Sequence, residues 1–195
     1  MQPRINMKMS ETMRAAASIA LVLAASYGWE PVHAQPYPTQ PIRLIVPWPP
    51  GGGVDTSARI IAQPLSQRLG QNIVIENRPG AGGNIGTELA ARAKPDGYSL
   101  LMVSVSPNAI NVHLYPKLAS SSWYGLMAPA GTPRPMIQRI NDELNAIMKT
   151  PEMAKRLAEF GGDLGGGTPE AFGAFVAAEI KRYADVVKAS GAKLE

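Results

Sequence analysis

Between residues 42 and 105, short apolar runs of β type alternate with segments of helical spacing, and this alternation limits the fold more than any other feature of the chain. Residues 42–46 (IRLIV), 72–76 (NIVIE) and 98–105 read as strands, and 55–69 and 84–93 as helices. A β-α-β-α-β order with right-handed crossovers makes the strands parallel. The loops after them, 47–54, 77–83 and 106–111, then emerge on one carboxyl edge of one sheet, where open α/β sheets bind ligands. Asp55 or Thr56 is the expected cap of the first helix. Pro64 falls inside that helix, where its ring removes a hydrogen bond and costs about 3 kcal/mol unless the helix kinks or ends early.

The C-terminal part has a different pattern. Residues 123–127 read as a strand, and Thr132-Pro133, Thr150-Pro151 and Thr168-Pro169 each resemble an N-cap followed by proline at the first helical position. Apolar residues recur at helical spacing behind each pair: Ile137, Ile140, Leu144 and Ile147; Met153, Leu157 and Phe160; Phe172, Val176, Ile180, Tyr183 and Val187. Gly161 and Gly191 stand where the last two helices should stop. Between the halves lies a short small-residue stretch, 119–122 (ASSS), with no turn signature, expected to be exposed. The apolar stripes need a surface to cover, so the two halves should form one α/β layer, the helices lying on the faces of a parallel sheet.

Composition supports a packed core, with 45% hydrophobic and 17% charged residues. The net charge of +4 is spread out, without a basic run or interleaved aromatics, which argues against nucleic acid as a partner. At the N-terminus, Arg4, Lys8 and Arg14 precede an apolar run over 15–25, and Val32-His33-Ala34 puts small residues at the positions a signal peptidase inspects. Residues 1–34 therefore read as a secretory signal peptide, with the periplasm as destination. The apolar run is about half of the ~20 residues that span a bilayer. Zero cysteines exclude disulfides, thiolate metal sites and a cysteine nucleophile.

Two glycine-rich loops carry the chemistry. In the first, Trp48 precedes Pro49-Pro50-Gly51-Gly52-Gly53-Val54-Asp55; the glycines let backbone N–H groups approach a ligand, and the helix N-terminus behind them favours negative charge. Trp48 is expected to lie exposed beside them. The second, Arg78-Pro79-Gly80-Ala81-Gly82-Gly83-Asn84-Ile85-Gly86, superficially resembles a dinucleotide fingerprint. Ile85 stands where the third glycine is required, however, and no acidic residue ends a strand about 20 residues on. A P-loop fails as well, since no Lys-Ser or Lys-Thr follows. His113 is the one histidine beyond the leader, and no nucleophile elbow or metal-spaced cluster is present, so no catalytic residue, metal or cofactor is expected.

These loops, with YPTQPIRLIVPWPPGGGVD, LGQNIVIENRPGAGGNIGTELAARAKPDGYSLL, SPNAINVHLYPKL and SSWYGLMAPAGTP, resemble the solute-binding receptors of tripartite tricarboxylate transporters, the Bug family. The resemblance implies an α/β fold, a parallel-sheet lobe of a type II periplasmic-binding-protein flytrap, that closes on small organic acids and hands them to the transporter's membrane permease components. It also implies a ligand set: Trp48, Gly51, Gly52, Val54 and Asp55 from the first loop; Ala81, Gly82, Gly83 and Asn84 from the second; Ser104, Ser106 and Asn108 after the third strand. Between HLYPKL and SSWYGL the family has on the order of 100 to 150 further residues, a second lobe, which this chain lacks. Residues 35–118 and 119–195 are then two parts of a single lobe, impaired in closing, with millimolar or undetectable affinity expected for di- and tricarboxylates. The alternative from the residues alone is an exported α/β enzyme using the glycine loops as an anion cradle.

Overall fold

The computed structural model describes residues 37–104, 123–163 and 165–190. The signal-peptide reading, Ser106, Asn108, His113, the 119–122 join and Gly191 lie outside them. Four strands, β1 (Ile42–Val46), β2 (Ile73–Asn77), β3 (Ser99–Ser104) and β4 (Tyr124–Met127), form one sheet in the order β2-β1-β3-β4. β1 pairs in parallel with β2 on one side and β3 on the other. β4 joins at the edge in antiparallel register with β3, Ser104 opposite Tyr124 and Leu101 opposite Met127. The three strands expected to be parallel are so, and the fourth, whose direction the sequence reading left open, is antiparallel.

Alternation along the strands divides the core. Ile42, Leu44, Val46, Leu100 and Met102 pack with Val54, Ala58, Ile61, Leu65 and Leu69 of helix α1 (Gly53–Leu69), Ile140 and Ile147 of α3 (Arg134–Met148) and Met153 of α4 (Pro151–Glu159). Ile45 and Leu101 belong to a second cluster with Ala90 of α2 (Asn84–Ala91). Each fully buried Leu or Ile contributes about 1.5–3 kcal/mol. The connection through α1 leads from β1 to β2, and that through α2 leads back across β1 to β3. β1 is therefore the point where the strand order reverses, the place beyond whose carboxyl end open α/β sheets bind their ligands.

Several local expectations are corrected. α1 begins at Gly53 behind an N-cap at Gly52, so neither Asp55 nor Thr56 caps it. Pro64 does not end it early: Leu65 and Leu69 beyond the proline are buried, and together they outweigh a penalty of about 3 kcal/mol. Thr150 caps α4 by accepting from Met153 N–H at 3.3 Å, and Thr168 accepts from Ala171 N–H at 3.1 Å ahead of α5 (Pro169–Ser190). Thr132 does not cap; its hydroxyl donates to the Pro129 carbonyl at 2.8 Å and α3 starts after Pro133. Gly161 closes α4 with φ +76°. The apolar stripe of α5 is only partly covered, with Ile180 66% exposed. Among its described side chains the buried one is Glu179, whose carboxylate accepts from Trp123 Nε1 at 3.0 Å and from Arg182 at 2.9 Å.

Candidate functional site

The first glycine loop is held by one carboxylate. Asp55, in the first turn of α1, is 2% exposed. Its Oδ2 accepts from Gly51 N–H at 2.9 Å and from Arg59 Nε at 2.8 Å; its Oδ1 accepts from Arg59 at 3.1 Å and from Asn77 Nδ2 at 2.9 Å. Asn77, the last residue of β2, also donates to the Trp48 carbonyl at 3.1 Å. The bond from Arg59 holds the Asp55 carboxyl down at about 2, and the Gly51 and Asn77 donors add to it; burial opposes them and loses. The negative charge is thereby matched inside the loop. What the loop presents outward is backbone: Gly51 at φ +84° and Gly52 as an N-cap with no side-chain cap, leaving the first N–H groups of α1 without helical acceptors.

The second loop is shaped by backbone conformation. Gly80, Ala81, Gly82 and Gly83 all have positive φ, at 131°, 48°, 63° and 94°. Ala81 is the one non-glycine residue among the described ones in that region, which is uncommon for a residue with a β-carbon. α2 then starts at Asn84 (φ −61°), again with no side-chain cap. The turn is closed from within, Gly83 N–H donating to the Gly80 carbonyl at 2.9 Å and Asn84 N–H to the Ala81 carbonyl, so what this end of α2 offers an anion is the positive end of its helix dipole.

The two loops touch. A β-carbon on Gly83 would meet Trp48 Cζ2 at 3.5 Å and the Pro47 carbonyl at 3.6 Å; one on Gly86 would lie 2.8 Å from both Arg78 O and Pro47 Cα. Only a residue without a side chain lets α2 approach the first loop this closely. Two uncapped helix N-termini are so brought together at the carboxyl edge of the sheet, beside the reversal at β1.

Of the residues singled out from sequence, Trp48, Gly51, Gly52, Val54, Asp55, Ala81, Gly82, Gly83 and Asn84 all lie in this pair of loops. Trp48 is half-buried against the core rather than exposed, because Gly83 leaves room for its ring. The Val54 side chain is in the core and the Asp55 side chain in the network above, so neither side chain is turned outward from the loop. Ser104 ends β3 on the same edge; its Oγ is buried and has no hydrogen-bond partner among the described residues. Sequence reasoning missed Asn77, Arg59 and Gly86. Arg59 sits four residues after Asp55, the spacing of a helical ion pair, and Asn77 is a polar amide closing an apolar strand; both signals were available. Among the described residues no group of three His, Cys, Asp or Glu could hold a metal.

Comparison with known proteins agrees with this geometry. The family model of the tripartite tricarboxylate transporter family receptor matches residues 57–121 and 118–192. The chain belongs to that receptor family. Receptors of this family bind solutes and are not enzymes, so the anion-cradle enzyme is set aside. Protein BugT of Bordetella pertussis is 45% identical over 106 residues, 54% of this chain and 32% of that protein. The chain spans about a third of the length of the curated receptors it matches. Among solved structures, the periplasmic binding protein BugD superposes with a TM-score of 0.71 at 19% identity, over 82% of this chain and 100% of that one. MatC from Rhodopseudomonas palustris with bound malate gives 0.67 at 18% identity, over 77% and 100%. These likenesses establish the lobe fold of the periplasmic binding proteins.

Proposed function

We propose that this chain is a periplasmic receptor for small carboxylates in a shortened, one-lobe form. The observation that carries it is the pair of uncapped helix N-termini, at Gly52 and Gly83, held against each other by Asn77 and by the close approach at Gly86. Partial positive charge at both termini, with N–H groups lacking helical acceptors at the start of α1, suits a carboxylate, and the nearby Asp55 is already neutralised by Arg59. Ligand contacts are assigned to backbone at Gly51, Gly52, Val54, Asp55, Ala81, Gly82, Gly83 and Asn84, with Trp48, Ser104, Ser106 and Asn108 at the margin. The malate in MatC supports a hydroxy- or dicarboxylic acid as ligand. The two family-model matches, 57–121 and 118–192, meet at the 119–122 join and support the loss of an internal segment that forms a second lobe in longer receptors. Export by residues 1–34 and delivery to the permease components of a tripartite transporter belong to the same reading.

One lobe leaves its ligand hydrated on one side, and forfeiting about 4 kcal/mol of contacts weakens binding roughly a thousandfold, into the millimolar range. Thermal unfolding in increasing malate tests the assignment. Binding to the folded state at ten times Kd stabilises it by about 1.4 kcal/mol, so the Tm should climb with malate and stay flat in sodium chloride of equal ionic strength. Equal responses to malate and chloride would remove the receptor reading.

A further inference from the structure

We infer that Tyr124 is a specificity-determining residue of this site, its hydroxyl donating to the bound acid beside the N-terminus of α1; the inference rests on the function proposed above. Its ground is the antiparallel pairing of β4. Because β4 runs against β3, with Tyr124 opposite Ser104, its first residue lies at the edge where the three parallel strands end. Tyr124 thereby joins a carboxyl-edge site to which a parallel fourth strand would have contributed its last residue.

The position of the phenol is fixed by Gly53. A β-carbon there would lie 2.8 Å from Tyr124 Oη and 3.9 Å from both Tyr124 Cζ and Phe160 Cζ, so the hydroxyl rests over the first residue of α1, at the terminus whose first N–H groups lack helical acceptors. The Phe160 ring flanks it at 6.4 Å between centroids, and both residues are 37% exposed, so the tyrosine is placed by packing on one side and reachable by solvent on another. Among the described residues the buried Ser104 Oγ across the strand pair has no hydrogen-bond partner. A rim tyrosine serving only as packing would not need its polar end over a helix N-terminus.

A phenol donates one O–H and covers carbon with its ring. Together with the first N–H groups of α1 it supplies converging donors for one carboxylate, and its ring faces the carbon next to that group. Such a pair favours an ionised acid over its amide, because an amide NH2 would face donors.

The test is an NMR titration of the full chain with malate at pH 7, alongside Tyr124→Phe, which removes one oxygen and keeps the ring. The expected result is a roughly tenfold weaker affinity in the variant, with an unchanged Tm in the absence of malate. Gly53→Ala, whose β-carbon displaces the hydroxyl, should weaken malate binding similarly with the tyrosine intact. Equal affinities for the wild type and Tyr124→Phe overturn the assignment and leave the proposed function standing. A wild type whose resonances do not respond to malate overturns the proposed function itself, and this inference with it.

Discussion

The two glycine loops do the same work by opposite means. The first is cross-braced by side chains: Asp55 joins Gly51, Arg59 and Asn77, and Asn77 reaches on to the Trp48 carbonyl. The second has little of that bracing. Its course is set by four successive positive φ angles from Gly80 to Gly83 and by the bare α-carbon of Gly86 against Pro47 and Arg78. Such a loop can be held either by bonding it to a neutralised carboxylate or by packing it directly against neighbouring backbone where β-carbons are absent. The first route depends on charge and therefore on pH; the second depends on space.

The largest effect should come from space. Gly86→Ala puts a β-carbon 2.8 Å from backbone atoms of Arg78 and Pro47, which cannot move aside as a side-chain tip can. Destabilisation of about 3 kcal/mol is expected in chemical denaturation, with loss of malate binding as α2 is pushed off the first loop. A variant as stable as the wild type would mean the loops do not need each other.

Next comes Asp55→Asn. Arg59 is half-exposed and can turn to water, so the cost lies with the Gly51 N–H and Asn77 amide that lose a charged acceptor, about 2 kcal/mol in total. The same contrast is readable in pH. Asp55 is depressed from 3.8 to about 2, chiefly by the bond from Arg59, so its contribution is complete above pH ~4 and disappears as the pH falls toward 2. Wild type should lose stability over that interval by more than Asp55→Asn, and parallel curves for the two proteins would show that the carboxylate does not brace the loop.

The smallest effect is expected at Ala81. Glycine at φ +48° relieves left-handed strain but adds freedom to the unfolded chain, so Ala81→Gly should change stability by no more than about 0.5 kcal/mol, toward greater stability. A clear loss would imply that the alanine methyl makes a contact that matters.

Much of this was legible beforehand, and for identifiable reasons. The β1 boundaries follow from IRLIV between polar and proline residues, and the parallel core follows from the β-α-β-α-β rhythm. Both glycine loops were placed because glycine repeats at strand ends are local signals. The antiparallel direction of β4 was not, since nothing within YGLM specifies which way it pairs, and Tyr124 was missed with it. The role of Asp55 was misplaced because a capping residue and a residue bonded to Asn77, 22 positions away, look alike in a single strand of text. The Ile180 side of α5 was expected to be covered; the pull of Trp123 on the buried Glu179 turned a different face inward.

The central claim is that both loops, through their backbone amides, form one carboxylate half-site. It is tested most directly by mapping amide chemical-shift changes residue by residue as malate is added to the monomer. The account predicts saturable changes with a millimolar Kd, concentrated on Trp48 to Asp55 and on Gly80 to Asn84 and following one binding curve in both loops. Changes centred on the C-terminal helices, or in one loop without the other, would contradict it.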